Sequence, residues 1–223
     1  MGAWEMSMTR TFSRTLHGPA ATHALGRLIG SACVGGERIA LEGELGAGKT
    51  SFARGIADGM GIDPVVVSSP TFTIIHEHEG GRDGLRFVHV DAYRMGDPDE
   101  LQALGWQEFL EDARAVIALE WPGRAANAIE TPHLLVEMSH VEPDDLGEDA
   151  RHVTCSFACD RAYLHEALHG RCPSCGAAVG AEGAHVPFCS NRCRMADLDN
   201  WFSGRYVVSR EIEEDDLADP DLG

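Results

Sequence analysis

An α/β fold, a mostly parallel sheet flanked by helices, is the class this sequence predicts, and three observations predict it. Apolar strand-like runs alternate with stretches of helical periodicity. Two of those runs, "LRFVHVD" and "AVIALE", end in an acid, at Asp91 and Glu120. A third, "ERIALEG", runs straight into a glycine-rich turn that opens a helix. A small C-terminal module with four cysteines follows.

The elements come in this order. "RTFSRTL" (Arg10 to Leu16) alternates weakly and reads as an edge strand. "PAATHALGRLIGSACV" has helical spacing with Pro19 in the first turn. After the strand "ERIALEG" and its loop, Thr50 to Met60 reads as a helix stopped near Gly61 and Pro64. "TFTIIHEH" is a strand in which His76 and His78 share one face, expected to be solvated because no third ligand is near. "DPDELQALGWQEFLED" reads as one helix capped by Asp97, with Pro98 in its first turn. "HLLVEMSH" and "RHVTCSFA" look like an antiparallel pair joined by an acidic turn, and "RAYLHEALHG" like a short helix ending at Gly170.

At 223 residues the chain can bury one mid-sized core and still carry a small module. Against 18 basic residues stand 36 acidic ones, a net charge of -18, which argues against a surface that wraps phosphate backbones by itself. Any nucleic acid is expected to be reached through a partner. No apolar run approaches the roughly 20 residues of a membrane span, and Met1 to Gly18 lacks the apolar stretch of a signal peptide, so the expectation is a cytosolic protein with no membrane contact. Cys33, Cys155 and Cys159 are irregularly spaced and read as small core or surface residues.

"GELGAGKT" (Gly43 to Thr50) fits G-x-x-x-x-G-K-[ST], between a buried strand and a helix start, where backbone N–H groups converge on a phosphate. This makes the fold P-loop NTPase-like. Gly46 and Gly48 let the backbone wrap closely, Lys49 can reach the β and γ phosphates of ATP, and the Thr50 hydroxyl can ligate Mg²⁺. Asp91 and Glu120 are both candidates for the acid that such a site needs, because each ends a strand-like run at the carboxyl edge of the sheet. Periodicity does not divide the roles between them.

"GELGAGKTSFARG", "VSSPTFTI", "HVDAYRM" and "LEWPGR", in this order and spacing, resemble the TsaE (YjeE) family of bacterial tRNA-modification ATPases over roughly Thr11 to Leu168. The resemblance implies an ATPase that assists threonylcarbamoyl transfer to adenosine 37 of tRNA and acts with a TsaB-TsaD heterodimer, so that tRNA is met through that complex. It implies that Gly46, Ala47, Gly48, Lys49, Thr50 and Ser51 cradle phosphates and that Thr50 with Glu120 holds Mg²⁺. Asp91 would lie beside the γ phosphate, where it could position the attacking water, and Thr71 would be the contact from the switch-like segment Ser68 to Thr73. Trp121 either shapes the exit of the Glu120 strand or is ordinary core. Arg94 is either an arginine finger in cis or a salt-bridge partner.

Cys172-x2-Cys175 and Cys189-x3-Cys193, thirteen residues apart, form a four-thiolate zinc pattern, structural because four thiolates leave no open position. "CPSCG" and "PFCSNRCRMADLDNWFSGRYVV" resemble the YacG family of small zinc proteins over about residues 171–208. That resemblance implies a non-enzymatic DNA gyrase inhibitor that binds the gyrase B protein, with Trp201, Phe202 and Tyr206 as an apolar docking patch. Residues 209–223 are acidic and poor in large apolar side chains, so a disordered tail is expected. Two other readings stand beside these: the zinc module only docks the ATPase or its partners, or the loop serves a small-molecule kinase, for which no Arg-rich lid is found.

Overall fold

A computed structural model describes residues 8–200 apart from 71–73, 98, 126–127, 142–149, 169–171, 178, 180–184 and 186. The expected contact at Thr71, the first-turn Pro98, the helix end at Gly170, the patch Trp201, Phe202 and Tyr206, and the acidic tail lie outside the described residues.

Among the described residues seven strands form one sheet: β1 (Met8–His17), β2 (Arg38–Gly43), β3 (Ile75–His78), β4 (Arg86–Asp91), β5 (Ala115–Glu120), β6 (Leu134–His140) and β7 (Ala150–Ala158), in the order β1-β7-β6-β2-β5-β4-β3. The centre is parallel, β6-β2-β5-β4, and both margins are antiparallel, β3 on β4 and β7 between β6 and β1. The helices are α1 (Gly18–Ala32), α2 (Lys49–Gly59), α3 (Asp99–Ala103), α4 (Trp106–Glu111), α5 (Ala162–Ala167) and α6 (Asn191–Asn200).

Both faces of the sheet are covered, as the nearly continuous burial along β4 and β5 requires. Phe87, Val116 and Ala118 join the core under α1 and α2, with Leu25, Phe52 and Ile56. Val88, Val90, Ile117 and Leu119 join the core under α3 and α4, with Leu101 and Trp106. Alternation therefore aims His89 and Asp91 on β4, and Glu120 on β5, at the α2 side.

α1 and α2 touch backbone to backbone. A Cβ on Gly30 would lie 2.0 Å from the Ile56 carbonyl oxygen, one on Gly26 2.3 Å from that of Phe52, and one on Gly55 2.1 Å from that of His23. The Arg82 guanidinium then closes the far ends of both helices by donating to the carbonyls of Gly59, Gly30, Ser31 and Cys33.

The single helix expected after Asp97 is two. Gly105 adopts φ 77, a left-handed conformation that ends the first turn and starts α4. The amides of Gly96 and Asp97 are held by the Glu100 carboxylate, each at 2.9 Å, so the acid that caps this start lies three residues after Asp97. The solvated face expected for His76 and His78 is also corrected. His78 is half-buried and stacks on Phe87 at 6.2 Å, and burial, with His89 and His76 adding to it, lowers its pKa to about 4.

Candidate nucleotide and metal sites

β2 delivers the chain into the loop at Gly43, where a Cβ would stand 2.3 Å from the Met138 carbonyl oxygen, so only glycine lets the loop cross β6 this closely. Gly48, at φ 105, is the N-cap of α2. The Lys49 ammonium is buried and donates to the carbonyls of Gly43 at 2.7 Å and Glu44 at 2.8 Å, and it lies 3.7 Å from the centre of the Trp121 ring. Burial lowers its pKa, opposed by the charges of Glu120 and Asp91. Ala47 is fully buried and its amide bonds the Glu44 carbonyl at 3.2 Å; Gly46 is exposed, and Ser51 is half-buried in the first turn of α2. A cavity of about 280 Å³ opens beside Gly43, Glu44 and Trp121.

The parallel register sets Asp91 opposite Glu120, and both carboxylates are buried. Thr50 Oγ1 donates to Glu120 Oε1 at 2.9 Å, and His89 Nε2 lies 2.8 Å from the same oxygen. Asp91 accepts from Ser69 Oγ on one oxygen and from the Tyr93 amide on the other, each at 2.9 Å. Arg54 Nε donates to the Val67 carbonyl at 2.6 Å, which pins the chain two residues before Ser69. Trp121, at φ 58 and ψ 50, turns the chain out of β5 and stacks near Tyr93 at 5.0 Å; it shapes the strand exit and also faces Lys49. Arg94 is exposed in the turn after Asp91.

Lys49, Thr50, Asp91 and Glu120, predicted separately, thus meet at one edge of the sheet. Their oxygens suit a hard divalent cation beside a phosphate cradle: a hydroxyl and a carboxylate converge at 2.9 Å at a helix start. Sequence reasoning does not single out His89, prefers Thr71 to Ser69 within the segment Ser68 to Thr73, and does not reveal the contact of Trp121 with Lys49. The signal for His89 was present, because it lies two residues before Asp91 on a strand and must share its face.

The sulfurs of Cys172, Cys175, Cys189 and Cys193 lie within 4.8 Å of one another, with Cys175 to Cys189 at 3.4 Å and Cys189 to Cys193 at 3.7 Å. A tetrahedral Zn²⁺ at about 2.3 Å from each sulfur would set them about 3.8 Å apart, so the donor set fits. Gly176, at φ 73, makes the turn of the first pair, its amide on the Cys172 carbonyl at 2.8 Å. Ser190 caps α6, its hydroxyl accepting from the Cys193 amide at 3.4 Å. Burial opposes ionisation of Cys172, but hydrogen bonds from the backbone of Cys189, Cys175 and Ser174 outweigh it and bring the thiol down to about 7. Cys33 and Cys155 are buried and Cys159 is exposed, away from this cluster.

Comparison with known proteins finds two families in one chain. The family described as threonylcarbamoyl adenosine biosynthesis protein TsaE matches residues 16–151, and the one described as DNA gyrase inhibitor YacG matches residues 170–219. The tRNA threonylcarbamoyladenosine biosynthesis protein TsaE of Streptomyces coelicolor is 37% identical over 131 residues, 58% of this chain and 86% of that one. The protein of the same name from Bacillus subtilis is 39% identical over 136 residues, 61% of this chain and 79% of its own. The crystal structure of Bacillus subtilis YdiB matches with a TM-score of 0.53 at 28% identity, over 72% of this chain and 95% of that chain. No helix among the described residues is long and apolar enough to cross a membrane.

Proposed function

The chain belongs to the TsaE family of threonylcarbamoyl adenosine biosynthesis proteins, and from that premise we propose that residues 11–168 bind and hydrolyse Mg-ATP in support of tRNA N6-threonylcarbamoyladenosine formation, acting with TsaB-TsaD in the cytoplasm. The observation that carries this reading is the Thr50 to Glu120 hydrogen bond at 2.9 Å, with Asp91 in register beside it.

Residues 46–51 cradle the phosphates, and Lys49 turns from the Gly43 and Glu44 carbonyls to the β and γ oxygens. Thr50 and Glu120 would hold Mg²⁺, which when bound would neutralise phosphate charge. Asp91, with both its oxygens already engaged by Ser69 and the Tyr93 amide, keeps a fixed orientation from which to align the attacking water. His89 holds the same Glu120 oxygen that Thr50 bonds, and Thr71 is assigned to the γ phosphate. ATP turnover by the full chain with TsaB-TsaD is the test: Lys49→Ala and Glu120→Ala are each expected to abolish it, and unchanged turnover would refute the assignment.

Residues 171–208 are proposed as a structural zinc module and 209–223 as an acidic tail. The match to a family described as DNA gyrase inhibitor supports gyrase as a partner, with the B protein as the proposed target. The burial of Phe188 against Ala24 supports a docking role on this chain's own ATPase domain. Supercoiling by gyrase with the full chain in excess separates the two, since loss of supercoiling is expected only from the first.

A further inference from the structure

The four-cysteine module does not hang free of the sheet domain. Cys172, Val179 and Phe188 form one buried cluster with Ala24 of α1, and Cys193 packs against it, so two of the four sulfur donors belong to the contact. Ala24 is 1% exposed and takes no part in either core of the sheet domain. Asp197 of α6 is buried, with one carboxylate oxygen lacking a hydrogen-bond partner among the described residues. The charges acting on it are Arg27 of α1 and Asp58 of α2. Burial of this carboxylate is what a surface of α6 seated against the rest of the chain produces.

α1 also reaches the phosphate loop. Its glycines meet α2 backbone to backbone, and the Thr22 methyl lies 3.3 Å from where a Cβ on Gly48 would stand. One helix therefore touches a metal donor on one side and the start of the nucleotide-binding helix on the other. So short a cysteine module cannot keep its fold without metal, which gives two states: loaded and seated on α1, or metal-free with Ala24 returned to water.

We propose that the module is a metal-dependent brace: loading the four-cysteine site fastens Cys172, Val179, Phe188 and α6 to α1, and α1 steadies residues 43–50, so that metal and nucleotide strengthen each other's binding. The nucleotide half rests on the ATP-binding reading above; the seating of the module does not. Linkage makes the two effects equal in size.

The full chain, zinc-loaded and zinc-stripped, is compared by amide hydrogen exchange and by equilibrium binding of a fluorescent ATP analogue. Stripping is expected to speed exchange in α1 and to weaken the analogue about fivefold or more, and the analogue to strengthen zinc against a competing chelator by the same factor. Ala24→Glu puts a charge under Phe188 on a helix face that the sheet does not use. It should keep the four-thiolate spectrum with Co²⁺ yet behave as stripped protein in both assays. Equal exchange in α1 with and without zinc overturns the seating. Exchange that changes while analogue affinity does not overturns the linkage. Absence of analogue binding in either form overturns the ATPase reading and the linkage with it, while exchange in α1 still decides the seating.

Discussion

The nucleotide region and the cysteine region hold their chemistry in opposite ways. Asp91 and Glu120 are fixed by parallel strand register and covered by two helices, so their oxygens converge before any ligand arrives. The four cysteines sit in turns and at one helix mouth, with a shared cluster of a few apolar side chains beneath them. In the first region the fold positions the site; in the second, on the zinc reading proposed above, the ligand would complete the fold. The difference teaches that a site's dependence on its ligand can be read from what surrounds it rather than from the donors alone.

The sharpest break of this contrast is metal removal. Chelation of the full chain should strip α6 of hydrogen-exchange protection while β2 and β5 keep theirs, because metal binding contributes on the order of 10–16 kcal/mol to such modules. Retained protection in α6 would show a module that folds without metal. Next comes Asp91→Asn, which leaves register and packing in place and should lower ATP turnover by about 10²–10⁴-fold with little change in melting temperature. A stability loss of similar standing to the activity loss would mean that this region, too, is not pre-built.

A smaller effect is expected at the helix contact. Gly30→Ala forces a methyl onto the Ile56 carbonyl and should cost about 1–3 kcal/mol or more in denaturant unfolding. Smallest is the pH response at the seam between the regions. Burial raises the pKa of Asp197 to about 6, above the unfolded value of about 3.9. The folded state thus keeps the proton to higher pH, and the cost of the charge grows as pH rises from about 4 to about 6 and is fully present at pH 7. Asp197→Asn should raise the melting temperature at pH 7.5 and lose that advantage near pH 4. His23, whose pKa burial lowers to about 4, titrates in both proteins and cancels in the difference.

Much of this was legible in the sequence because the strands that carry the acids are simple. β2, β4 and β5 are mostly apolar runs, and a strand's period of two fixes which side each residue faces. The loop motif and the cysteine spacings are local signals of the same kind. The rest depended on contacts between distant segments. Nothing near Ala24 announces that its methyl meets a cysteine module some 150 residues on. Ser69 could not be preferred over Thr71 or its other hydroxyl neighbours without the position of Asp91. Helical spacing ran through Leu104 and Gly105, and only the left-handed backbone at Gly105 reveals the break. His78 is half-buried because Phe87 happens to be its cross-strand partner.

Lys49 sets an entry threshold for the phosphate loop. Its ammonium is already claimed by two carbonyls and an indole face, and Glu42 and Glu44 stand exposed at the mouth. A lone sulfate or phosphate offers the lysine little beyond what it must surrender, and meets repulsion on the way in. A polyphosphate that arrives with its own divalent cation quenches that repulsion and offers several oxygens at once. On the nucleotide-binding reading proposed above, the loop would act as a filter against simple anions, with a selectivity that begins in the hydrogen bonds it makes to itself.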